Sequence, residues 1–240
     1  MIHVLPGMGA DQRMYPGPWR SLPDCNFIDW PDYGQERTIN ALARRVIATE
    51  HIQPGSVLIG SSLGGMVACE IANLISIERL VLIGSAKSKA EIGGLLRLLH
   101  PLVDLTPLSL IQKAAGQWPG VIAQMFKDRD PAFIRAMIKA IFIWDGLQPH
   151  GLKVFRIHGD RDPVIPAPPE VDHLLHGGHF VAMTHADECV ELVRPWLPCS
   201  ALNNAAGARR PSRSPRPGRR PDGFANAGRS VLFSSVQALR

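Results

Sequence analysis

Cysteine is scarce and scattered in this chain: four residues in 240, Cys25, Cys69, Cys189 and Cys199, with no C-x-x-C pair. That spacing argues against both a disulfide-stapled scaffold and a thiolate metal site, and the four read as reduced residues of a cytoplasmic protein. No apolar run approaches the ~20 residues that a membrane-spanning helix requires. The opening MIHVLPGMGA lacks the basic-then-apolar pattern of a secretory leader. No H-E-x-x-H and no clustered His/Cys spacing calls for a metal. PGMGAD is glycine-rich, but G-x-G-x-x-G is missing and no P-loop lysine follows, so no cofactor is expected.

A strong excess of either charge is absent from most of the chain as well. The net charge of +5 suggests an affinity for nucleic acid until the charge is located. Residues 201–240 hold eight arginines, no lysine and a single acid, Asp222, which makes that segment +7 and leaves −2 for residues 1–200. The basicity belongs to an appendage rich in Pro and Arg, residues 199–240. Its composition cannot bury enough apolar surface to offset ordering entropy, so disorder is expected there. No nucleic-acid contact is expected of the mildly acidic body, and none with a membrane.

What the body does have is alternation. Short β-branched runs at residues 2–5, 25–29, 56–60, 79–84, 152–158 and 171–175 are separated by helical patterns at 38–50, 63–75 and 186–196, with a short helix expected near 11–20. This alternation predicts an α/β fold with a mostly parallel sheet of about six strands covered on both faces. Thr38 is placed to cap the first of these helices. Residues 85–148 interrupt the pattern with apolar helical stretches cut by Pro101, Pro107, Pro119 and Pro131. Some 60 residues exceed what one crossover needs. The expected organisation is therefore a core of residues 1–84 and 149–198, a helical lid over 85–148, and the tail.

The strongest chemical signal is Gly60-Ser61-Ser62-Leu63-Gly64, a G-x-S-x-G between a strand and a helix. A serine at the apex of such a turn is exposed for attack, and side chains at Gly60 and Gly64 would crowd the neighbouring strand and helix. A serine hydroxyl needs a base to take its proton. His179, in Gly177-Gly178-His179-Phe180, follows a strand late in the chain and is the candidate, with His173 and His176 as nearby rivals. A third group must orient the imidazole and stabilise its charge. His158-Gly159-Asp160-Arg161-Asp162-Pro163 offers two acids; Asp162 lies farther into the loop, whereas Asp160 is nearer the strand and suited to bracing the turn.

The order Ser62, Asp162, His179 resembles that of the α/β-hydrolase superfamily, and the resemblance covers roughly residues 1–198. It implies a triad on loops at the carboxyl edge of the sheet. It also implies an oxyanion hole of two backbone N–H groups, one from Leu63 and one from Met8 in Leu5-Pro6-Gly7-Met8-Gly9. Pro6 stands where such enzymes often carry histidine, and the early antiparallel strands and the helix between acid and histidine are short or missing, so a compact version is expected. The activity implied is a serine hydrolase, in the first place a carboxylesterase acting on a small or medium uncharged ester. Lactonase, thioesterase, amidase, C–C hydrolase and perhydrolase chemistry stay open on the same fold. So do a non-catalytic receptor that keeps the pocket and a nucleic-acid role for the arginine tail.

Overall fold

A computed structural model describes residues 1–93, 120–148 and 151–198, all within one compact unit. The leucine-rich stretch after residue 93 with Pro101, Pro107 and Pro119, and the arginine-rich segment 199–240, lie outside the described residues.

Six strands form one sheet in which every pairing is parallel. They are β1 (Ile2–Leu5), β2 (Cys25–Phe27), β3 (Val57–Ser61), β4 (Arg79–Ile83), β5 (Lys153–Gly159) and β6 (His173–Leu175). The spatial order is β2-β1-β3-β4-β5-β6. The chain thus leaves β1 toward one edge, returns, and builds outward from β3 toward the other. This reversal opens a crevice at the carboxyl ends of β1 and β3, the usual place for a ligand in an open parallel sheet. The register Leu5↔Gly60 brings the two strand ends level.

Both faces of the sheet are buried, which is why its strands read as nearly continuous apolar runs. Alternation still sorts the side chains: Leu5, Leu58, Leu80 and Leu82 face one core, while Val4, Ile59, Val81, Ile83 and Ile157 face the other. The first core is completed by α1 (Ile39–Thr49), α2 (Leu63–Leu74) and α4 (Pro131–Ile143). Thr38 caps α1 by accepting the Ala41 N–H at 3.1 Å, and Asp130 caps α4 by accepting that of Ala132 at 2.7 Å. α2 has ten buried residues because it lies between the sheet and α1, and its small residues Gly64, Gly65, Ala68 and Ala72 permit that close packing. The second core takes in Trp19, α5 (Val181–Thr184) and α6 (Ala186–Val193), and the Trp19 indole donates to the Ala182 carbonyl at 2.6 Å.

The expected strands are all present, although β2 and β6 are two residues shorter than their apolar runs. Residues 11–20 form two 3₁₀ turns, Gln12–Met14 and Gly17–Ser21, rather than an α-helix; Pro16 and Pro18 preclude a longer one. Within 85–148, α3 (Gly120–Asp128) and α4 are docked on the body. Phe133 of α4 lies against Trp30 and Tyr33, and the Trp144 indole donates to buried Glu70 of α2 at 2.9 Å. No helix among the described residues is long and apolar enough to cross a membrane.

Candidate active site

Ser62 sits between the end of β3 and the first residue of α2, at φ 52° and ψ −122°. A serine held in this region costs on the order of 1–3 kcal/mol and persists only where its surroundings fix it. They do so here. The Ser62 N–H donates to the Ile83 carbonyl of β4 at 3.2 Å. Its own carbonyl accepts the N–H groups of Gly65 and Met66 and, at 2.7 Å, the hydroxyl of buried Ser85. The tightness of the turn explains its glycines. A Cβ on Gly60 would run into the backbone of Gly64 and Gly65, and one on Gly64 would meet the carbonyls of Leu5 and Pro6 at the end of β1.

Two loops at the same edge bring the other groups. Asp162 lies three residues beyond β5, and His179 follows β6 through Gly177 and Gly178. Gly159 lets the two loops touch, since a Cβ there would strike the Gly177 and Gly178 carbonyls. His179 Nε2 lies 2.9 Å from Ser62 Oγ, and its Nδ1 lies 2.8 Å from Asp162 Oδ2. Asp162 Oδ1 accepts the N–H groups of Val164 and Ile165 at 2.8 and 3.0 Å. The Asp162 side chain has no solvent contact and that of His179 almost none. Burial alone would favour the protonated acid. The charge of His179, hydrogen bonds from His158 and His179, and the Ile165 N–H outweigh it and hold the carboxyl well below the usual range. The acid is therefore ionised, as an orienting group must be.

The rivals lie elsewhere. Asp160 is exposed; its N–H donates to the Leu175 carbonyl, and its carboxylate meets the exposed His176 ring, which also contacts Arg161. His173 packs edge-on against Phe155, and His185 occupies the position preceding α6.

The turn after β1 completes the crevice. A Cβ on Gly7 would lie 3.7 Å from that of Ser62, so the turn stands directly over the serine. Tyr15 donates to the Leu5 carbonyl at 2.6 Å and Trp30 to that of Gly7 at 2.8 Å. The N–H groups of Gly7 and Asp11 point to the sulfurs of Met14 and Met125, the latter in α3. Leu63, as the first residue of α2, has an N–H that no intrahelical carbonyl can satisfy. These pinning residues, with Ser85 and His158, carry no motif of their own and were not singled out from the sequence. Among the described residues there is no group of three or more His, Cys, Asp or Glu that could hold a metal ion.

Residues 3–192 match the model of a family described as the alpha/beta hydrolase family. A comparison with curated protein sequences found no match. Among solved structures, an esterase of Thermogutta terrifontis superposes with a TM-score of 0.62 at 16% identity, covering 85% of this chain and 89% of its own. A thioesterase from the prodiginine biosynthetic pathway of Streptomyces coelicolor gives 0.59 at 20% identity, with 82% and 89% covered. The enol-lactonase of Burkholderia xenovorans gives 0.63 at 19%, with 81% and 90% covered. At these identities the likeness is one of fold.

Proposed function

The chain belongs to the alpha/beta hydrolase family, and from that premise we propose that it is a serine hydrolase cleaving small or medium uncharged carboxylic esters. The observation that carries this reading is the unbroken chain Ser62 Oγ, His179 Nε2, His179 Nδ1, Asp162 Oδ2, with separations of 2.9 and 2.8 Å.

In this reading Ser62 Oγ attacks the ester carbonyl as His179 Nε2 takes its proton, and Asp162 holds the ring and stabilises the imidazolium. The tetrahedral oxyanion is received by the N–H groups of Met8 and Leu63; each such donor is worth ~10²–10³ in turnover. His179 protonates the departing alcohol and leaves an acyl group on Ser62. Water, deprotonated by the same imidazole, then attacks that group and releases the acid. The preference for uncharged substrates rests on the apolar surroundings of the crevice, where Phe126 of α3 and partly buried Met8 belong to the first core. In this reading the described helices of the insertion, α3 and α4, belong to the lid of the crevice.

The test is turnover of a chain-length series of p-nitrophenyl esters, with paired thioesters and lactones, by wild type and Ser62→Ala. Loss of hydrolysis and of fluorophosphonate labelling in the alanine variant is expected. Undiminished turnover there removes the reading, and a strong preference for the thioester or lactone of a pair replaces the ester assignment.

A further inference from the structure

The acid of the candidate triad serves two histidines. Asp162 Oδ2 lies 2.8 Å from His179 Nδ1 and 3.3 Å from Nε2 of His158, a residue of β5. The same His158 nitrogen lies 2.8 Å from the Ile165 carbonyl. A carbonyl only accepts, so Nε2 carries the hydrogen, and that hydrogen is shared between Ile165 and the carboxylate. His158 is 1% exposed. An imidazole at such a position in a core strand is costly unless its N–H finds an acceptor, and an apolar side chain would fill the same space without that demand.

We infer that His158 is a positioning residue for the reaction: its Nε2–H fastens the 162–165 loop to β5 and draws carboxylate charge away from His179. The inference rests on the serine-hydrolase reading above. Two effects follow from one hydrogen. Through Ile165 it fixes where the carboxylate stands. Through Oδ2, 3.3 Å away, it competes with His179 for the charge of the Asp162 carboxylate. The charged neighbours are few. His179 meets Asp162 and Ser62. On the His158 face of β5 stands Arg156, whose guanidinium is matched by Glu91 at 2.6 and 3.1 Å. Asp160 and His176 pair with each other on the exposed side of the loop.

The experiment compares wild type, His158→Leu and His158→Gln in kcat/KM for p-nitrophenyl acetate against pH, with Tm for each. The leucine variant removes the donor, and its acidic limb is expected to move upward by about 0.5–1 pH unit, with a plateau roughly tenfold lower. The glutamine amide nitrogen reaches the position of Nε2, so His158→Gln is expected to return the limb to near its wild-type place. A limb unmoved by the leucine variant, or moved equally by both variants, overturns the inference and leaves His158 a packing residue. Nitrogen-15 NMR of histidine-labelled wild type adds an arm that needs no variant to fold: His158 is expected as the Nε2–H tautomer across the limb, and the Nδ1–H form overturns the inference. If Ser62→Ala retains turnover, the serine-hydrolase reading falls and takes this one with it. If Ser62 dependence stands while the limb does not respond, only the role of His158 is lost.

Discussion

Asp160 and Asp162 leave the end of the same strand two residues apart and turn in opposite directions. Asp162 is sealed from solvent against His179, while Asp160 gives its carboxylate to the exposed His176 ring. The difference is made by the backbone: Asp162 Oδ1 is engaged by two N–H groups of its own loop, which fixes Oδ2 toward the imidazole. Both carboxyls are held below their ordinary range, by different partners. For Asp160 the first cause is the hydrogen bond from His176; for Asp162 the partners must first overcome burial.

Asp162→Asn is therefore expected to lower kcat by ~10³–10⁴, because an amide neither stabilises the imidazolium nor fixes the needed tautomer. Asp160→Asn is expected to stay within about threefold of wild type, since an exposed pair contributes little. Steady-state kinetics on one ester decide it; equal losses in both variants contradict the assignment.

The fold was legible because a sheet buried on both faces leaves its strands as apolar runs, and each run became a strand within two residues of its expected bounds. Ser62 was legible because a turn too tight for side chains writes its glycines into the sequence. The choice between Asp160 and Asp162 was only partly so: the aim of a loop carboxylate depends on which N–H groups it meets, and those have no spacing rule. His158 and Ser85 were not legible at all. Their partners are the carbonyls of Ile165 and Ser62, and a bond to a distant backbone carbonyl leaves no trace in residue type.

Gly9 and Phe126 make a second testable pair. A Cβ on Gly9 would overlap the edge of the Phe126 ring, so Gly9→Ala has to displace either that ring or the turn that carries Met8. Displacing the turn is expected to lower kcat/KM by ~10²-fold, the scale of a lost oxyanion donor. Combining it with Phe126→Leu makes room and is expected to recover part of the loss, a coupling that a double-mutant cycle measures directly. Strict additivity would show that the turn does not move.

Glu70 predicts stability rather than turnover. Its buried carboxylate accepts from Asn40 at 2.6 Å, Trp144 at 2.9 Å and Asn73 at 3.2 Å, joining α1, α2 and the segment after α4. Glu70→Gln sets an NH₂ against these donors and is expected to cost about 2–3 kcal/mol. The residue lies about two helical turns from Ser62, so kcat of the folded fraction is expected to remain within about twofold. Urea unfolding together with active-site titration separates the two quantities.

His3 gives the fold a pH dependence with a definite sign. It is buried in β1, and burial, aided by the N-terminal ammonium, pushes its imidazole down to about 4. In the unfolded chain it titrates near 6.5. Between these values the unfolded state binds a proton that the folded state refuses, so stability is complete above pH 6.5 and declines as the pH falls toward 4. Allowing for partial solvent screening, the decline due to this one group is about 1–2 kcal/mol. The informative quantity is a difference between proteins. Urea midpoints of wild type and His3→Asn, measured from pH 7 to 4.5, are expected to converge as the pH drops, because asparagine takes up no proton in either state. If the two curves run parallel through that interval, His3 takes up its proton as readily in the folded protein as in the unfolded chain, and the strand end that holds it is open to water.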